Sequence, residues 1–149
     1  MLVKEICTPD VVCCGADAHA LDAARLMRHH HVGDVVVVDH EDEERSPLGI
    51  VTDRDLAVKV VADGLDPATT SVRALMRTPV VIAHETEDSA VVIERMRLHG
   101  VRRVPVVDGE GVVTGIVTLE DMLRMIVTDA GLLLGVMDKG AKSERHGLR

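Results

Sequence analysis

The chain of 149 residues contains the same sequence twice, at an interval of almost half its length. The segments at 27–39 and 96–108, MRHHHVGDVVVVD and MRLHGVRRVPVVD, are identical at eight of thirteen positions. Further along, GIVTDRD at 49–55 and GIVTLED at 115–121 agree at five of seven positions. This interval is too long for the repeats of a solenoid, so the sequence predicts a duplicated half-domain whose two copies share one fold.

Each copy is predicted to contain a strand, a helix, two strands and a closing helix. The helices carry apolar residues at helical spacing, and the strands lack the polar alternation of a half-exposed sheet. In the first copy these elements are expected at 11–14, 18–30, 35–39, 48–52 and 53–63, with Asp17 as helix N-cap and an acidic loop at 40–46. In the second they are expected at 80–83, 88–99, 104–108, 112–118 and 119–128, with Thr86 as N-cap.

The duplication predicts an α/β (α+β) fold in which two pseudo-symmetric repeats pack sheet to sheet. The first repeat is expected at residues 1–66, where Gly64-Leu65-Asp66-Pro67 ends the closing helix, and the second at 67–131. Residues 132–149 end in a charged stretch and are expected to form a partly disordered tail.

The composition argues against several classes of protein. Trp, Tyr and Phe are all absent, which disfavours an aromatic platform for single-stranded nucleic acid. The net charge of −8 repels phosphate backbones and anionic lipids, so we expect neither a nucleic-acid nor a membrane partner. The sequence shows no signal peptide or membrane span, and its three cysteines do not make a secreted disulfide framework, so we expect a cytoplasmic protein.

The motif Gly-Ile-Val-Thr-x-x-Asp, present in both copies, is the strongest candidate for a binding site. It places Thr52 and Asp55 in the first copy, and Thr118 and Asp121 in the second, where a strand passes into a helix. Thr-x-x-Asp is also a common helix-capping box. The same corner can bind a ligand, because a hydroxyl at a helix start attracts phosphate and a carboxylate accepts hydrogen bonds from a ribose diol. Its occurrence at matching places in both copies favours the ligand.

These motifs resemble a tandem pair of CBS domains, over about residues 2–129. The resemblance rests on the two Gly-Ile-Val-Thr-x-x-Asp blocks, on RRVPVVD at 102–108 and on the Thr-Pro pair that opens each copy. The sequence is also similar to small standalone bacterial CBS-pair proteins of the hypoxic-response type. The resemblance implies two clefts between the repeats, a homodimer, and an adenosine-containing ligand: AMP, ADP, ATP, NAD or S-adenosylmethionine.

The resemblance also implies roles for individual residues. The two aspartates would hold ribose hydroxyls, the two threonines would contact ribose or phosphate, and the first strands would line adenine. Arg103, together with Arg102, stands where the family often places a phosphate-binding cation. The complete set of implied ligand-binding residues is Thr52, Asp55, Thr118, Asp121, Arg103, Arg102, Val12 and Ile82.

The first copy departs from this pattern. Opposite Arg102 and Arg103 it has Gly33 and Asp34, and an acidic residue there repels phosphate. The two clefts are therefore expected to be unequal, with one binding a nucleotide well and the other binding weakly or preferring a less charged adenosyl group.

Other side chains favour structural roles. The run His29-His30-His31 stands at a predicted helix end, where imidazoles interact with the helix dipole, and adjacent helical positions point apart, so no metal site is predicted. No nucleophile and base accompany the acids at 53–55, which argues against an enzyme. An apolar surface on the last helix, made by Met122, Leu123, Met125 and Ile126, is expected to be a homodimer contact.

Two functions follow from the sequence. The first is a non-enzymatic sensor that binds an adenosyl ligand, requires no cofactor and is read by a separate effector protein. The second is a stress-related homodimeric scaffold whose clefts are vestigial and empty, with Thr52 and Thr118 serving only as helix caps.

Overall fold

The computed structural model describes residues 1–39 and 45–147, and it contains two three-stranded sheets flanked by helices. Most of the predicted loop at 40–46 therefore lies outside the described residues. The first half contains a 3-10 segment Val3–Glu5, β1 Cys13–Gly15, α1 Ala20–His30, β2 Asp34–Val38, β3 Pro47–Thr52 and α2 Asp53–Asp55, which continues as a π-helical segment Leu56–Val61. The second half contains α3 Val72–Leu75, β4 Ala83–His84, α4 Ser89–His99, β5 Arg103–Val107, β6 Val113–Thr118 and α5 Leu119–Gly147.

The two sheets have the same topology, which confirms the predicted order of elements. In each sheet the first strand is parallel to the middle strand, and the third is antiparallel to it. Successive residues of β2 face opposite sides: Val35 and Val37 lie in the core of the first repeat, whereas Val36 and Val38 pack in a cluster with Ile116 of the other sheet. Both faces of the middle strand are thus covered, as its unbroken valine run predicts.

The segment that leads into each repeat packs into the other repeat. We call residues 3–8 and 72–77, which precede β1 and β4, the lead-in segments. Val3 is buried in the core of the second repeat, and Val72 is buried in the core of the first. The Thr8 N–H donates to the Ile116 carbonyl at 2.9 Å, and the Arg77 N–H donates to the Ile50 carbonyl at 3.1 Å. The two repeats therefore share both cores.

This exchange explains the glycine in each Gly-Ile-Val-Thr block. A Cβ on Gly49 would lie 2.9 Å from the Arg77 carbonyl oxygen, and one on Gly115 would lie 2.7 Å from the Cys7 Sγ. A lead-in segment thus crosses each glycine too closely for a side chain to fit.

The predicted helix caps are wrong. His19 and Asp88, rather than Asp17 and Thr86, are the N-cap residues of α1 and α4. The start of α1 is fixed from outside the helix, because the Ala20 N–H donates to the carbonyl of Thr70, next to the second lead-in segment. Local capping patterns do not contain that long-range bond.

The last helix is longer than predicted. It continues past residue 128 to Gly147, because no Pro interrupts it and its glycines are tolerated, whereas the first closing helix ends before the left-handed Gly64. The proposed boundary at 131/132 falls within this helix. Met122 is 1% exposed and packs in the core of the second repeat, so the prediction that it contributes to a surface contact is wrong, while Leu123 and Ile126 are exposed.

Candidate functional site

A cavity of about 360 Å³ lies between the two repeats. The first repeat contributes the end of β3 and the start of α2, and the second contributes residues 77–81 and 100–103. We call it the inter-repeat cavity. Its lining residues are Ile50, Thr52, Asp53, Arg54, Arg77, Pro79, Val80, Val81, Gly100, Val101, Arg102 and Arg103.

The Thr52 corner forms a complete capping box at the edge of this cavity. The Asp55 carboxylate accepts hydrogen bonds from the Thr52 N–H at 2.9 Å and from its hydroxyl at 3.0 Å. The hydroxyl in turn accepts from the Asp55 N–H at 3.2 Å. Lys59 Nζ lies 3.3 Å from the second carboxylate oxygen, and Asp55 is 5% exposed. Thr52 thus lines the cavity, and Asp55 lies directly behind it.

The Thr118 corner has the same bonds but a different setting. The Asp121 carboxylate accepts from the Thr118 N–H at 2.9 Å and from its hydroxyl at 2.8 Å. Asp121 lines a separate, more open hollow on the second repeat, bordered by Met1, Ile6 and Arg124. The two aspartates therefore do not face one common cavity.

Of the other predicted ligand residues, two line the inter-repeat cavity and two do not. Arg102 and Arg103 line the inter-repeat cavity. Val12 packs against the core of the first repeat, and the Ile82 carbonyl accepts a hydrogen bond from Arg95 at 2.7 Å. Ile82 follows two residues of the lining, Val80 and Val81, which supply the apolar wall next to it.

An ion pair joins the repeats beside the cavity. Arg103 Nε lies 2.9 Å from an Asp34 carboxylate oxygen, with side-chain exposures of 32% and 15%. Burial raises the pKa of Asp34, the nearby Arg103 opposes this effect, and the like charge of Asp53 adds to it. A Cβ on Gly33 would lie 3.2 Å from an Asp53 carboxylate oxygen, so the glycine leaves room for this cluster. Arg102 pairs at 2.8 Å with Glu120, and both of those side chains are more than half exposed.

Two arginines of the cavity, Arg54 and Arg77, are absent from the residues predicted as ligand contacts. Across residues 1–39 and 45–147, neither side chain forms a hydrogen bond or an ion pair. A charge comparison of all equivalent positions, rather than of one motif, would have found them. This comparison requires the structural alignment of the two repeats. Thr8 and Arg77 are equivalent in that alignment, because Thr8 forms a β-bridge with Ile116 and Arg77 forms one with the matching residue, Ile50.

In this alignment the residues that line the cavity carry a net positive charge, whereas the residues equivalent to them in the other repeat carry a net negative charge. Four arginines and one aspartate line the cavity. Of the positions equivalent to them, Arg54 corresponds to Glu120, Arg77 to Thr8, Arg102 to Gly33, Arg103 to Asp34 and Asp53 to Leu119. The difference in charge between the equivalent surfaces thus extends well beyond the Gly33-Asp34 pair that the sequence singled out.

Within the described part of the chain, no group of three or more His, Cys, Asp or Glu side chains is arranged to hold a metal ion. The three cysteines are partly buried free thiols, and the rings of His29 and His30 meet edge to face. None of the described helices has the length and apolar character that crossing a membrane requires.

Comparison with known proteins gives a consistent result. The family model for the CBS domain matches residues 3–62 and 72–128. An uncharacterized Methanopyrus kandleri protein is 37% identical over 83% of this chain, and the chain spans 61% of that relative's length. Hypoxic response protein 1 of Mycobacterium tuberculosis is 33% identical over 81% of this chain and 82% of its own length. Among solved structures, the CBS domain pair of protein MJ0100, in complex with 5′-methylthioadenosine and S-adenosylmethionine, matches with a TM-score of 0.75 and 29% identity, over 87% of this chain and 98% of that one.

Proposed function

The chain belongs to the CBS domain family, and we propose that it is a non-enzymatic regulatory module that binds an adenosine-containing ligand in the inter-repeat cavity. The observation that carries this proposal is the cavity itself, which combines the Thr52 corner of one repeat with the apolar and basic wall of the other. Its volume is within the range of small-molecule sites. A ligand there touches both repeats, so binding changes the free energy of their packing and gives a separate effector protein something to read.

In this proposal Thr52 contacts the ribose or phosphate, and Arg102 and Arg103 contact phosphate. Asp55 holds the ribose hydroxyls by exchanging its bonds to Thr52 for bonds to the sugar. Val80 and Val81, next to Ile82, line the adenine. The relative solved with two adenosyl compounds supports this ligand class.

We propose that the second corner, at Thr118 and Asp121, binds weakly or takes a less charged adenosyl group. Its support is the acidic character of the positions equivalent to the cavity arginines, including Asp34 and Glu120. Val12 of the first strand would line this second site.

The second candidate function is a scaffold with empty clefts. The observation in its favour is that both aspartates already have hydrogen-bond partners within their capping boxes. A concentration-dependent rise in melting temperature with adenosyl compounds supports the sensor, because a ligand that binds only the folded state stabilises it. A flat response to every compound supports the scaffold.

A second copy of the chain is the proposed protein partner, with α5 as the contact. Leu123, Ile126 and Val127 are each at least half exposed on this helix. One solved relative, a CBS-CP12 protein, is described as hexameric, so related chains do assemble.

The direct test is calorimetric titration of the full chain with AMP. We expect Asp55→Asn to weaken binding by about tenfold, the loss expected for one charge-assisted hydrogen bond. Asp121→Asn is the matched comparison, because it alters the identical capping box at the second, weaker corner and should leave the tight binding step at the inter-repeat cavity unchanged. Equal affinity of Asp55→Asn and the unmodified chain would remove Asp55 from the site. Because the chain lacks Trp and Tyr, absorbance at 260 nm also reports any nucleotide that copurifies.

A further inference from the structure

We propose that the inter-repeat cavity selects nucleoside di- and triphosphates over monophosphates and uncharged or cationic adenosyl compounds, and that the added phosphate displaces Asp34 from Arg103. This inference rests on the proposed function, because it assigns the ligand class of the same site. It concerns this chain's own set of charges.

The first support is the number of guanidinium groups. Arg54, Arg77, Arg102 and Arg103 line one cavity, and Asp53 is the only carboxylate among its lining residues. The whole chain carries a net charge of −8, so this cavity is basic on an acidic protein. Guanidinium groups bind phosphate oxygens through paired hydrogen bonds, and several of them favour a ligand with several phosphates.

The second support is the difference between satisfied and unsatisfied arginines. Arg102 and Arg103 each have a carboxylate partner, whereas the Arg54 and Arg77 side chains have none among the described residues. Each unpaired cation raises the energy of a cationic ligand in the cavity and lowers that of an anionic one. A single phosphate on Arg102 and Arg103 leaves the other two arginines uncompensated, and further phosphates supply the missing charge.

The third support is the position of the Arg103–Asp34 pair. Asp34 begins β2 of the first repeat and Arg103 begins β5 of the second, so this ion pair is a bond between repeats. The Asp34 carboxylate is poorly solvated and lies near Asp53, and burial raises its pKa, so its charge is not well stabilised even with Arg103 beside it. A polyphosphate brings more charge to Arg103 than one carboxylate does. Its binding therefore replaces a direct bond between the repeats with one made through the ligand.

The experiment is calorimetric titration of the full chain with adenosine, AMP, ADP and ATP in one buffer of low ionic strength. We expect affinity to rise with phosphate number, by at least tenfold from AMP to ATP. Arg54→Gln and Arg77→Gln should each weaken the binding of ATP several-fold and leave the affinity for adenosine unchanged. Arg73→Gln is the matched control, because it removes the same charge from an exposed residue outside the cavity.

Asp34→Asn tests the displacement. We expect it to raise ATP affinity several-fold, since ATP then has no competitor for Arg103. Asp10→Asn serves as its control, because it makes the same change in net charge at an exposed residue that makes no contact with Arg103. An unchanged or lower ATP affinity in Asp34→Asn, with a normal melting temperature, overturns the displacement.

The outcomes separate this inference from the proposed function. If adenosine and AMP bind but ADP and ATP bind no more tightly, the inference is wrong and the proposed function stands. If none of the four compounds binds, and neither NAD nor S-adenosylmethionine binds in the same assay, the proposed function itself is wrong.

Discussion

At the scale of single residues, a partly buried ion pair with two hydrogen bonds, Arg95–Glu87, links α4 to the turn before it. The Arg95 guanidinium donates to both Glu87 carboxylate oxygens, at 2.8 and 2.5 Å, and also to the Ile82 carbonyl. Glu87 in turn accepts a hydrogen bond from the His84 N–H. The hydrogen bond from Arg95 lowers the pKa of Glu87 to about 2. This pair therefore fixes the turn that follows β4, next to the proposed adenine wall.

We expect Glu87→Gln to lower the free energy of unfolding by about 1.5–3 kcal/mol at pH 7, the range for a hydrogen bond to a charged group. Because folding lowers the pKa of Glu87, its contribution is complete above the unfolded pKa of about 4.5 and is lost as pH falls toward 2. Urea unfolding between pH 7 and pH 3 should show the deficit of the variant shrinking with acidity.

Glu94→Gln is the control for this measurement. Glu94 pairs with Arg97 at 2.5 Å, but both side chains are more than half exposed. Exposed pairs contribute little to stability. If both variants lose the same amount of unfolding free energy, the partly buried geometry around Glu87 adds nothing to stability.

At the scale of elements, the close crossing of a lead-in segment over β6 predicts a cost for any side chain at Gly115. A Cβ there would lie 2.7 Å from the Cys7 Sγ and 3.2 Å from the Thr8 carbonyl oxygen. Gly115→Ala should therefore destabilise the protein by about 1–3 kcal/mol, as overpacking does. Chemical unfolding measures this. Gly109→Ala, in the turn between β5 and β6, has open space around its Cβ and should change little.

The same elements show what the sequence can and cannot reveal. The matching motifs predict the order of strands and helices and the place of the Thr52 corner, because these depend on local periodicity and on repetition. The exchange of Val3 and Val72 between cores depends on contacts far apart along the chain, such as the backbone hydrogen bonds of Val3 to Glu87 and of Val72 to Ala18, which no local pattern contains. The missed Arg77 has the same origin, since its place beside Ile50 follows from that exchange.

At the scale of the whole molecule, the two repeats are one folding unit with an added helix. The cores are shared through the lead-in segments, and one ion pair, Arg103–Asp34, adds a polar link between the sheets. The CBS family model ends at residue 128, but α5 continues to Gly147. At about 1.5 Å per residue, this extension adds nearly 30 Å to the helix. No described residue of α5 is among those that line the inter-repeat cavity, so the cavity and the extension are separate parts of the molecule.

The extension predicts self-association. Residues 130–137 are apolar around the whole helix, and among them Leu132, Leu133, Leu134, Val136 and Met137 are each more than 60% exposed. A helix that is apolar on all sides is normally buried. Replacing Leu133 and Leu134 together by Gln should shift the chain toward a smaller assembly in sedimentation velocity, because it removes two side chains from the proposed contact with a second copy.

Leu98→Gln is the control for that shift. Leu98 is as exposed as the leucines of the extension, but it lies on α4, outside this helix. Replacing Leu98 should leave the sedimentation coefficient unchanged. If the unmodified chain sediments as a monomer at every concentration, α5 is not a contact between copies. Since the proposed ligand site and the proposed contact consist of different residues, the Leu133 and Leu134 replacements should also leave AMP affinity intact, which separates an effect on assembly from general damage to the fold.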